Sequence, residues 1–297
     1  MLFSVCLDSR RPWPDLLRLA RHAEEAALGR VYLPDHFMPY HPTVAVPGQV
    51  HECWTTLSAL AVATSRIGLG TLVLGNTYRH PAMVANMAAT LDRVSGGRVL
   101  LGLGAGWQTN EHTAYGIDLP FVGDRLDRFE EAVQVVWLLL RQAVSSFDGA
   151  HYRLTDARCE PTPVQRPLPL LVAGAGERRT IPVAARYADA WHAWATPPEF
   201  RRKCEILDDA CAAAGRPPSN VQRLTGQVLR VSAGSTSVDG DEAEDIVGSP
   251  AFVLDRLGEY LDAGVDEFII RDDATTPIAD AIESMNAVAS QVVPALS

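Results

Sequence analysis

The apolar residues of the chain fall into two alternating patterns. Short, mostly unbroken apolar runs of strand length stand at residues 2–7, 31–33, 67–74, 99–104, 168–173, 190–195, 221–231 and 265–272. Between them, residues 12–29, 54–65, 81–94, 123–144, 178–188, 197–214, 250–263 and 277–293 read as helices, with apolar positions recurring every three or four residues. Residues 12–29 carry the punctuation in full: an early proline, apolar Leu16, Leu19, Ala20, Ala23 and Ala27, and a closing Gly29, the start and stop signals of a helix. The apolar strands suit a sheet covered on both faces. Eight strand–helix pairs without a Pro/Ser-rich linker predict an α/β fold, one (β/α)8 TIM barrel forming a single domain over residues 1–297. An open doubly wound sheet is the other architecture that the alternation permits. Three segments exceed the minimal barrel: 37–53, 145–165 with the Asp148-Gly149 turn of a hairpin, and the Gly/Ser/Asp-rich 233–248, which reads as a mobile loop. They are expected to be insertion loops at the C-terminal face, where substrate selection resides.

A barrel places its chemistry at the C-terminal ends of the strands. Those ends carry Asp8-Ser9, Asp35-His36, Leu74-Gly75-Asn76-Thr77, Gly104-Ala105-Gly106-Trp107, Gly174-Ala175-Gly176, His192-Ala193-Trp194 and Arg271-Asp272. In VYLPDHF, Pro34 cannot donate to the ladder, so Asp35 and His36 emerge at the mouth. A histidine there can give or take a proton near neutral pH, or serve structurally through a backbone carbonyl. Neighbours on a strand face opposite sides, so Asp35 is not expected simply to buttress His36. The run GLGAGW has Trp107 where a dinucleotide turn needs its third glycine, and it follows the fourth strand instead of the first. What remains, repeated at Gly174-Ala175-Gly176, is backbone bare enough to approach a planar ring or present N–H groups to a phosphate. Arg178 and Arg179 stand at the start of the next helix, a natural anion position. Tight βα turns alone are the competing explanation.

Composition narrows the partners. The chain is 47% hydrophobic and 21% charged, with a formal net charge of −10. Without a block of Lys or Arg, that balance argues against nucleic acid and leaves a small-molecule substrate. No apolar stretch approaches the about 20 residues of a membrane span, and the opening MLFSVCLDSRRPW lacks the pattern of a secretory leader. Five cysteines, odd in number and without a C-x-x-C pair, read as reduced thiols of a cytoplasmic protein. His36, His41, His51 and His192 have no metal-ligand spacing, and no G-x-S-x-G elbow occurs. Neither metal nor serine chemistry is expected.

The segments YLPDHF, ECWTTLSALAVATSRIGLGTLVLGNTYRHPAMVANMAATLDRVSGGRVLLGLGAGWQTNEHTAYGI, RLDRFEEAVQVVWLL, PLLVAGAGERRTIPVAARYADAWHAW and GSPAFVLDRLGEYLDAGVDEFIIRD follow in that order. Together they resemble the luciferase-like flavin and deazaflavin oxidoreductases, more narrowly their coenzyme F420-dependent branch. The resemblance covers nearly the whole chain and is weakest at 37–53 and 233–248. It implies a TIM barrel that holds a deazaflavin or flavin ring at the strand ends, usually as a homodimer. By the same resemblance, Gly104, Ala105, Gly106 and Trp107 meet the cofactor's polar edge or ribityl-phosphate tail, and Gly174, Ala175 and Gly176 take the phosphate region. Asp35 matches the acid that contacts the ring system, and His36 the proton-handling histidine beside the reactive carbon. A non-proline cis peptide is implied within residues 71–74, with Leu72 under the ring and Asn76 the nearby polar contact. Glu111 is expected to contact the cofactor or serve as a second acid.

One departure bears on the substrate. The sugar-phosphate dehydrogenases of the family carry an acidic glutamate where this chain has Trp107, and their phosphate-holding lysines lack counterparts in a chain whose single lysine is Lys203. A sugar phosphate is therefore not expected, and Trp107 and Trp194 are candidates for an apolar substrate wall or for the core. The implied activity is hydride exchange between F420 and a small organic substrate, His36 moving the matching proton. An FMN-dependent monooxygenase using reduced flavin and O2, and a non-catalytic flavin-binding relative, are the alternatives.

Overall fold

A computed structural model of the chain describes residues 1–231 and 245–296. Its first half comprises β1 (Leu2–Cys6), α1 (Trp13–Glu25), β2 (Arg30–Leu33), α2 (Cys53–Ala63), β3 (Gly68–Thr71), β4 (Leu74–Gly75), α3 (Pro81–Ser95) and β5 (Val99–Gly104). There follow α4 (Thr109–Tyr115), α5 (Val122–Arg141), β6 (Ser145–Asp148), β7 (Arg153–Ala157), β8 (Leu170–Ala173), α6 (Thr180–Tyr187), β9 (Ala190–His192) and α7 (Pro197–Ala213). The last elements are β10 (Gln222–Gln227), β11 (Leu229–Val231), β12 (Ile246–Gly248), α8 (Pro250–Asp262), β13 (Glu267–Arg271) and α9 (Ile278–Ala287).

The main sheet runs β3-β2-β1-β13-β10-β9-β8-β5-β4, and β3 also pairs with β5, so the sheet closes on itself. Its pairings are parallel. Since β3 and β4 are two pieces of one barrel position, eight positions close the expected (β/α)8 TIM barrel. Strand residues facing out pack beneath the helices, as with Val5, Val31, Leu69, Leu101 and Phe268. Residues facing in form a separate interior cluster of Cys6, Tyr32, Leu100, Leu171, Leu224 and Ile269. Below that cluster Glu267 is buried and bonded by Ser4 Oγ at 2.5 Å, by Tyr32 Oη at 2.9 Å and by Arg30. The barrel interior is thus plugged, which leaves the opposite end for a ligand.

Helix starts follow their caps. Glu52 accepts from Trp54 N at 3.0 Å and Thr55 N at 2.6 Å, and Ser249 accepts from Phe252 N at 3.3 Å, each satisfying donors left over by the first turn. The sequence misplaces three features. Residues 109–115 form a short helix where no element was expected. The strand expected over 221–231 breaks at Val228, after which β11 pairs in parallel with β12. That partner lies in the stretch 233–248 expected to be a loop; residues 233–244 of it lie outside the described residues. The expected hairpin is present as the antiparallel pair β6–β7. The cysteines are free and buried, and no helix among the described residues is long and apolar enough to cross a membrane.

Candidate active site

The C-terminal strand ends enclose a cavity of about 940 Å³, at the upper end of the about 300–1,000 Å³ of small-molecule sites. On the β2–β5 side its lining includes Asp35, His36, Leu72, Gly104, Ala105, Gly106 and Trp107, and on the β8 side Gly174 and Ala175. Three expected members stand outside that lining. Gly176 is exposed beyond it, Asn76 is buried with Nδ2 unpartnered, and Glu111 is buried behind His36.

The glycines of β5 answer first to the protein itself. Between β3 and β4 the chain leaves the ladder at Leu72-Val73, a cis peptide within the expected stretch. Thr71 spans the gap, its Oγ1 donating to Gly102 O at 2.8 Å and accepting from Gly102 N at 2.9 Å. A Cβ on Gly102 would lie 2.0 Å from Thr71 O, and one on Gly104 2.6 Å from Val73 Cγ2. Their missing side chains admit the bulge, and the bulge delivers Leu72 and Val73 to the cavity wall. Gly106, at φ +82°, then turns the chain through the left-handed region that favours glycine. The bare backbone therefore shapes the cavity largely through the segment it lets in.

Beyond that turn, QTNE acts as a clamp on the segment after β2. Gln108 Nε2 donates to Met38 O at 3.1 Å and Asn110 Nδ2 to Pro39 O at 3.0 Å. Glu111 completes the clamp, its Oε2 accepting from Phe37 N at 2.7 Å and its Oε1 lying 2.8 Å from His36 Nδ1. The Tyr78 hydroxyl also donates to Glu111 Oε1. Burial pushes the Glu111 carboxyl up, but bonds from His36, Tyr78 and Phe37 N outweigh it and hold the group below its ordinary range. An ionised carboxylate can only accept, so His36 Nδ1 carries a hydrogen and Nε2 has no partner among the described residues. Tyr78 stays a donor, because burial and then Glu111 raise its pKa. Glu111, fully covered by protein, thus orients His36 through Oε1.

Asp35 faces a different partner, in keeping with its opposite orientation on the strand. Arg79 forks onto its carboxylate at 2.7 and 3.0 Å, and Gly75 N donates to it at 2.9 Å. Arg79 also reaches Glu52 at 2.5 Å. Both oxygens of Asp35 are spent within the wall, where they fix the turn after β4. Across the mouth, His192 lines the cavity with Nε2 unpartnered, and burial pushes its pKa down to about 3. It is a neutral imidazole at working pH. Sequence reasoning missed Tyr78, Arg79 and Glu52 as site residues. Tyr78 and Arg79 follow the third strand's end by a few positions, the one signal available for them, whereas Glu52 reads only as a helix cap.

Fold and site together define a TIM-barrel protein with a large ligand cavity at the strand ends and one oriented histidine in its wall. The model of the luciferase-like monooxygenase family matches residues 1–244, and the chain belongs to that family. It is 35% identical over 177 residues to an F420-dependent glucose-6-phosphate dehydrogenase of Amycolatopsis mediterranei, covering 59% of this chain and 50% of that protein. It is 33% identical over 207 residues to an F420-dependent hydroxymycolic acid dehydrogenase of Mycobacterium tuberculosis, covering 69% and 56%. The chain thus spans about half the length of these curated relatives. Among solved structures, an F420-dependent tetrahydromethanopterin reductase from Methanopyrus kandleri superposes with TM-score 0.82 at 20% identity over 100% of this chain and 99% of the other. A monooxygenase from Streptomyces bottropensis gives 0.84 at 22% identity over 100% of both chains. These two likenesses describe the fold.

Proposed function

We propose that the protein is a coenzyme F420-dependent oxidoreductase that moves a hydride between deazaflavin C5 and a carbon of a small organic substrate. The observation that carries this reading is His36, held at Nδ1 by a buried carboxylate while Nε2 is left for the cavity. The F420-dependent relatives favour this cofactor over FMN. The residues present suit a flat tricyclic ring: the Leu72-Val73 bulge gives an apolar surface, and Ser9 Oγ and His192 Nε2 are unpartnered polar atoms of residues that line the same cavity. Gly174 and Ala175 supply bare backbone for a phosphate.

When bound, F420 donates or accepts the hydride; the protein positions it and excludes water. For an alcohol–carbonyl pair, His36 Nε2 takes the hydroxyl proton as the substrate carbon gives up its hydride, and returns it in the reverse direction. The Glu111 carboxylate holds the ring at Nδ1 while the proton moves at Nε2. The homodimer implied by the family resemblance and the cytoplasmic location expected from the cysteines belong to the same reading. Val62 on α2 and Met83 on α3, 73% and 62% exposed, support a pairing surface.

Titration of the purified protein with F420 and with FMN, followed by tryptophan fluorescence, tests the cofactor. Quenching at micromolar F420 without an FMN response is expected. The reverse order overturns the reading in favour of a flavin monooxygenase.

A further inference from the structure

The outer wall of the cavity is aromatic and uncovered. Trp107 lines it yet is 55% exposed, as is Tyr40 at 61% and Trp194 at 43%. The Trp107 ring lies 5.2 Å from Tyr40, and its neighbour on the inner side is His36, edge-on at 5.6 Å and 83°. An exposed aromatic is unremarkable alone, but three at the rim of one cavity mark a surface that a ligand covers.

The arginines that line the cavity among the described residues are already engaged. Arg10 is bonded to Asp8 at 2.9 Å, and Arg271, the other arginine of the lining among the described residues, is engaged as well. Arg11 forks onto Asp272 with two bonds of 2.7 Å. Lys203 points to Ala175 O at 3.1 Å and Glu177 at 3.2 Å. A phosphorylated substrate would meet no unpaired cation at these positions, and a desolvated anion without a partner binds poorly.

We propose that this wall selects a neutral, largely apolar alcohol or carbonyl compound, whose body lies on the Trp107 indole with its oxygen toward His36. Trp107 is then a specificity residue of the outer wall, and the inner part of the cavity, beside the Leu72-Val73 bulge, is left to the cofactor. The substrate class rests on the reading of His36 as the proton-handling group; the apolar wall itself does not.

Two measurements separate the claims. With F420-saturated protein, turnover is compared for cyclohexanol, 1-phenylethanol and glucose 6-phosphate. The neutral alcohols are expected to react and the sugar phosphate to fail; preference for the sugar phosphate overturns the proposal. Trp107→Ala is expected to raise KM for 1-phenylethanol about fivefold, with kcat moving far less, and Trp107→Phe to restore most of the loss. Calorimetric titration of cofactor-free protein with 2-naphthol scores the wall even if F420 does not bind. Its Kd is expected to rise about fivefold in Trp107→Ala; an unchanged Kd and an unchanged KM overturn the assignment of Trp107.

Discussion

Oε1 of Glu111 lies 2.8 Å from Nδ1 of His36, joining α4 to the end of β2 across 75 positions of sequence. The carboxylate sets the tautomer and fixes the ring in the cavity wall. Glu111→Gln keeps a polar partner but removes the charge. Its kcat is expected to fall by up to about a hundredfold, the scale of a misplaced catalytic group, with KM moving far less. F420 affinity should hold. An unchanged kcat would show that Glu111 does not orient His36.

Gly102 and Gly104 make opposite demands, although they stand two residues apart. Gly102→Ala would drive a Cβ against a backbone oxygen at 2.0 Å, which cannot swing away. It is expected to lose about 3 kcal/mol of stability in denaturant unfolding. Gly104→Ala meets only Val73 Cγ2 at 2.6 Å, so it is expected to displace that side chain and weaken F420 binding with a smaller loss of stability. Adding Val73→Ala should recover the affinity. No recovery would mean that Val73 does not shape the cofactor slot.

The Asp35–Arg79 fork predicts a coupled pair. Arg79→Met leaves a fully covered carboxylate without its cation, at a cost of about 3–5 kcal/mol in thermal or denaturant unfolding. Combining it with Asp35→Asn, which retains an acceptor for Gly75 N, should return part of that loss. Additive losses would show that the fork is not a unit.

His192 carries a pH prediction. Its folded pKa lies at about 3, below the ordinary value of 6.5, so protonation favours the unfolded chain. The contribution of neutral His192 is complete above pH 6.5 and declines as pH falls from there toward about 3. Melting curves of His192→Gln should therefore fall less steeply than wild type across that window. Parallel slopes would contradict a buried neutral ring.

Much of this architecture is legible in the sequence, because strands of unbroken apolar residues and helices opened by Pro or a cap are local signals. Pro34 marked where β2 ends, and with it Asp35 and His36 at the mouth. What stayed hidden depends on contacts between distant segments. Nothing local says that Glu111 bonds residue 36 or that Arg79 crosses 44 positions to Asp35. The glycines of β5 were visible, but their purpose was not, since the Leu72-Val73 bulge that needs the space comes from another strand. The seven-residue α4 escaped because its buried face, Asn110, Glu111 and His112, is polar and lacks apolar periodicity.

The proposed function requires that His36 Nε2 face a deazaflavin ring resting on the Leu72-Val73 bulge. A crystal structure of the protein with F420 tests it most directly. The account predicts the ring against Leu72 and Val73, with C5 on the side of Nε2 and Glu111 still bonded to Nδ1. A ring bound elsewhere, or an imidazole turned away from C5, would contradict it.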